Sequence, residues 1–101
     1  MWLLLVASAC SGAEAEPTSI SLEITSTAPA QPQLEQVPLG SEVTLTVTSD
    51  AATQVHVHGY EMVADVTPGE PVELSFVANM SGVYEIETHP DSIIWARLEV
   101  G

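Results

Sequence analysis

The stretch Glu42-Val43-Thr44-Leu45-Thr46-Val47-Thr48 alternates apolar and hydroxylated side chains without a break. A period of two places Val43, Leu45 and Val47 on one face of an extended chain and the threonines on the other. A helix would scatter the same residues around its axis. β-branched Val and Thr also favour extended backbone. The pattern therefore predicts a half-buried strand, and the same style continues along the chain. Ile20, Leu22 and Ile24 share a face. From Gln54 to Tyr60, Val55 and Val57 take one face while His56 and His58 take the other. Val72, Leu74, Phe76 and Ala78 form an inward row. Tyr84 and Ile86 oppose Glu85 and Glu87. Ile94, Ala96, Leu98 and Val100 close the series. Turn signals separate these runs at Pro68-Gly69-Glu70-Pro71, Asn79 to Gly82 and Pro90-Asp91-Ser92. Ala28 to Gly40, with three prolines, is expected to be a loop. No window carries helical periodicity. The expectation is an all-β domain of about seven short strands, a Greek-key β-sandwich or barrel.

The chain has 101 residues, enough for one domain with a modest core. It carries fourteen acidic residues against a single basic one, Arg97. Nucleic-acid binding needs Lys and Arg to neutralise phosphates, so this charge balance argues against it. It equally argues against electrostatic docking on anionic lipid. Cations or a basic protein partner are the complementary ligands.

The single cysteine, Cys10, excludes an intrachain disulfide. It follows a short apolar run, Trp2 to Val6, and the small residues Ala7-Ser8-Ala9. The apolar run is too short to span a bilayer and reads as the end of a secretory segment. Ala7-Ser8-Ala9-Cys10 resembles the lipobox of bacterial lipoproteins, which implies lipidation of Cys10 and membrane attachment through that lipid alone. Plain secretory cleavage and a retained apolar end are the alternatives. The expected organisation is residues 1–9 as a signal segment, 10–19 as a lipidated cysteine and tether, and 20–101 as an exported, envelope-facing domain.

Four pieces in order carry a wider likeness: GSEVTLTVTSD from Gly40, VHVHGYE from Val55, TPGEPVELSFVANMSGVYEIETH from Thr67, and ARLEV from Ala96. Together they resemble the cupredoxin superfamily, most closely the small bacterial cupredoxin-like domains such as the one in periplasmic iron-uptake lipoproteins. The resemblance implies where a blue-copper site would lie. Its first histidine would fall near Thr53, its cysteine at Thr88, and its methionine near Ile93, Ile94 and Trp95. None of these positions holds the required ligand. Without the thiolate, type 1 copper electron transfer is excluded.

The chain's three histidines remain: His56, His58 and His89. Residues i and i+2 on a strand lie roughly 6.6–6.8 Å apart on one face, so His56 and His58 can converge on one ion. His89, at the end of another strand, would complete a three-imidazole site. Copper suits such donors, with zinc as the alternative. Glu61, Glu87 or Asp91 would add a carboxylate. The competing expectation is that these histidines are solvated strand residues, in a metal-free module that serves as an interaction or structural piece. No catalytic constellation stands out, so an enzyme is not expected. Met62 and Met80 are expected as core filler, Tyr60 and Tyr84 as core aromatics with hydrogen-bonded hydroxyls, and Trp95 as a residue packed at a sheet edge.

Overall fold

The computed structural model describes residues 15–101. Cys10 and the apolar run before it lie outside the described residues. Eight strands and no helix make up the described chain: β1 (Thr18–Ile24), β2 (Gln33–Val37), β3 (Glu42–Ser49), β4 (Thr53–Val57), β5 (Met62–Val66), β6 (Val72–Val77), β7 (Gly82–His89) and β8 (Ile93–Val100). They form a three-stranded sheet, β1-β3-β6, and a five-stranded sheet, β2-β8-β7-β4-β5. β1 runs parallel to β3 and β2 parallel to β8. Every other pairing is antiparallel.

The core lies between the two sheets. Val43, Leu45 and Val47 of β3 meet Val55 and Val57 of β4, Ile86 of β7 and Leu98 of β8, all essentially out of water. The alternation in Glu42–Thr48 is thus realised as one apolar face and one threonine face.

Two strands depart from the expected seven-strand pattern. β2 lies within the stretch expected to be a loop. Pro32 and Pro38 flank it rather than interrupt it, which an edge strand tolerates, and only Val37 is buried. β5 is the opposite edge of the same sheet. Its apolar Val63 is exposed, which hides the period.

β8 corrects two further expectations. Ile86 pairs with Ala96, but the next residue, Glu87, pairs with Ile94. Trp95 is therefore the extra residue of a β-bulge, which re-aims the side chains that follow. Trp95 and Ala96 both enter the core, and Ile94 stays half-buried on the other side. Trp95 consequently packs inside the sandwich on an interior strand, not at a sheet edge. Its indole Nε1 donates to Thr88 Oγ1 at 2.9 Å, and that hydroxyl donates to Asp91 Oδ1 at 2.7 Å. Both buried polar groups are satisfied.

Removing the shared hydroxyl leaves the indole N–H buried and unpaired. Thr88→Val is expected to cost about 1–3 kcal/mol, although it keeps the volume. Thermal unfolding followed by Trp fluorescence checks this, and an unchanged midpoint would contradict it.

Candidate metal centre

The outer face of the five-stranded sheet is set by pairing β4 with β7. His56 stands opposite Glu87, and Gln54 opposite His89. The ladder runs one residue past β4, where His58 N–H donates to Glu85 O at 2.9 Å. With Val55 and Val57 in the core, Gln54, His56 and His58 share the outer face with Glu85, Glu87 and His89. Period-two alternation on two adjacent strands thus gathers all three histidines. Their ring centroids lie 4.2 Å apart for His56 and His89, 6.2 Å for His56 and His58, and 6.4 Å for His58 and His89.

Glu87 is the carboxylate at the centre of this group. One of its oxygens pairs with His58 Nε2, and the other lies 3.7 Å from His89 Nε2. Its side chain is only 14% exposed, against 49% for His58 and 35% for His89. The imidazoles cover the carboxylate and remain open to solvent themselves. The ligand atoms of His58, Glu87 and His89 lie within 4.8 Å of one another. Two ligands at 2.1 Å from one ion lie at most about 4.2 Å apart, so shifts of about half an ångström would close the group around it.

The remaining members of the expected set are accounted for. His56 packs its ring against His89, while its Nε2 lies 2.8 Å from Gln54 Oε1. Glu85, the carboxylate opposite His58 in the ladder, accepts instead from Arg97 Nε at 3.3 Å. Asp91 is engaged by Thr88, and Glu61 sits exposed in the β4–β5 turn. Of the three carboxylates proposed from sequence, the fold brings Glu87 to the imidazoles. Met62 is half-buried against the core, whereas Met80 is exposed. Tyr60 Oη donates to Met80 O at 2.7 Å, and Tyr84 Oη donates to Ser81 O at 2.8 Å.

The positions implied for a blue-copper site hold hydroxyl side chains at Thr53 and Thr88. Thr88 is wholly buried, and half-buried Thr53 donates through Oγ1 to His89 O at 3.4 Å. Hydroxyls stand where that site would need a thiolate and an imidazole. The donors that do converge are imidazole and carboxylate, on the sheet's outer face.

No family model and no curated relative matches the chain. Solved structures do. A copper binding protein, determined in its apo form by NMR, superposes with a TM-score of 0.67 at 11% identity, over 88% of this chain and 98% of its own. The Cu-containing nitrite reductase of Thermus scotoductus SA-01 gives 0.69 at 19% identity, over 85% of this chain and 28% of its own. A chain of a heme-copper terminal oxidase dimer gives 0.66 at 20% identity, over 84% of this chain and 65% of its own. This chain thus spans less than two thirds of the oxidase and reductase chains. At these identities the likeness establishes the fold, which is cupredoxin-like.

Proposed function

We propose that this chain is an exported, lipid-anchored copper-binding domain whose ion sits on the outer sheet face, held by His58, Glu87 and His89 and joined by His56. The convergence of those first three ligand atoms carries the proposal. Imidazole nitrogens with one carboxylate oxygen suit a borderline divalent ion, and among such ions Cu(II) binds N/O donors most tightly. The solved copper proteins of the same fold support copper over zinc. Cys10 would supply the anchor and the polar stretch after it a tether. No helix among the described residues is long and apolar enough to cross a membrane. Turnover of a substrate is not part of the proposal.

A metal-free module is the second reading, and one contact favours it: His58 and Glu87 already satisfy each other without an ion. The same contact separates the two readings. For His58 Nε2 to ligate, its contact with Glu87 must open and the imidazole hydrogen must move to Nδ1. Isothermal titration with Cu(II) is expected to show one ion per chain. No heat beyond dilution would remove the metal reading and leave the metal-free module.

A further inference from the structure

Gln54 stands in the ladder between Asp65 on β5 and His89 on β7. Its Nε2 donates to Asp65 Oδ1 at 3.1 Å, and its Oε1 lies 2.8 Å from His56 Nε2. Donor and acceptor chemistry sets the sense of this chain. An ionised carboxylate only accepts, so the amide nitrogen faces Asp65 and the amide oxygen faces His56. An amide oxygen also only accepts, so His56 Nε2 carries the hydrogen. A neutral imidazole protonated at Nε2 has its lone pair on Nδ1.

From this we infer that Gln54, oriented by Asp65, is a positioning residue that delivers His56 to the copper ion as an Nδ1 ligand. The inference rests on the metal site proposed above and adds the ligating atom of His56 and the two residues that select it. Metal-bound histidines generally donate their second ring N–H to an acceptor that fixes tautomer and ring orientation. Here the acceptor is an amide oxygen, itself held by a carboxylate. The His56 ring packs against that of His89, while its nitrogens stand outside the group formed by His58, Glu87 and His89, so the side chain must shift toward that group for Nδ1 to ligate. Three imidazoles and one carboxylate then surround the ion.

The test uses the full chain loaded with Cu(II), with coordinated imidazoles counted by pulsed EPR and affinity measured by chelator competition. Wild type is expected to show three imidazoles and His56→Ala two. Gln54→Ala is expected to bind about tenfold or more weakly and to lose the third imidazole from part of the population. Gln54→Glu keeps an oxygen acceptor for His56 but loses the N–H that Asp65 holds, so it is expected to fall between wild type and Gln54→Ala in imidazole count and affinity. Two coordinated imidazoles in wild type would overturn the inference. So would wild-type count and affinity in Gln54→Ala. Either result leaves the metal site itself standing, whereas a wild-type chain that takes up no Cu(II) removes both.

Discussion

His58→Ala is expected to weaken Cu(II) binding by at least about a hundredfold. Groups that only orient a ligand are worth about 10–100-fold in metal affinity, so losing a ligand should cost no less than the top of that range. The fold should hardly notice. The His58 side chain is 49% exposed and reaches out to Glu87, not into the core. Surface changes of this kind usually shift stability by about 0.5 kcal/mol or less. Affinity and unfolding therefore separate cleanly in this variant. Glu87→Gln keeps the shape and one acceptor oxygen while removing the charge, so a smaller loss is expected. Glu85→Gln is the internal control. Glu85 stands opposite His58 in the ladder but is held by Arg97, and its loss should leave Cu(II) affinity close to wild type. If Glu85→Gln weakened binding more than Glu87→Gln, the assignment of the carboxylate would be wrong.

That contrast between two glutamates marks how far the sequence could be read. Alternation alone placed Val55 and Val57 in the core and both histidines outside. It likewise put Glu85 and Glu87 on one face of their strand. These are relations within one strand, and a period of two determines them. Which residue of β4 stands opposite which of β7 is a different kind of fact. It depends on turn lengths and on core packing, and neither is visible in a short apolar pattern. The pairing of β4 with β7 is therefore what distinguishes Glu87 from the other two carboxylates, setting it opposite His56 and within reach of His58 and His89. The chain from Asp65 through Gln54 to His56 was missed for the same reason, since it crosses from β5 to β4. The signal available was the alternation itself, which puts Gln54 on the histidine face.

The structural misses have local causes. β2 exposes most of its residues and is bounded by prolines, so it lacks the hydrophobic row that reveals a strand. The bulge at Trp95 breaks the period within a single strand, and extrapolating from Leu98 and Val100 aimed Ile94 the wrong way. Bulges of this type are legible only against the partner strand, because the extra residue is defined by the pairing.

Gly59→Ala is expected to destabilise the domain by about 2–5 kcal/mol. Gly59 follows His58 in the β4–β5 turn with φ of +87°, a conformation that costs an L-residue roughly 1–2 kcal/mol. The site is also full. A Cβ there would fall on the Tyr84 ring, 2.5 Å from Cε1 and closer still to Cδ1. The ring cannot swing aside freely. It packs edge-on against Tyr60 at 4.8 Å between centroids, and its hydroxyl is bonded to Ser81 O. Forcing a methyl into such packing costs roughly a further 1–3 kcal/mol. Gly69 separates the two contributions: its φ is +79°, but a Cβ there meets nothing within 4 Å. Gly69→Ala should therefore show the backbone cost alone. Since about 1 kcal/mol moves the midpoint of a domain this size by roughly 4–8 °C, thermal melts resolve the difference. Equal losses in the two variants would mean that Tyr84 yields, and that the turn carrying His58 is not held by the aromatic packing beneath it. A larger loss for Gly59→Ala, accompanied by weaker Cu(II) binding, would tie the placement of His58 to that packing.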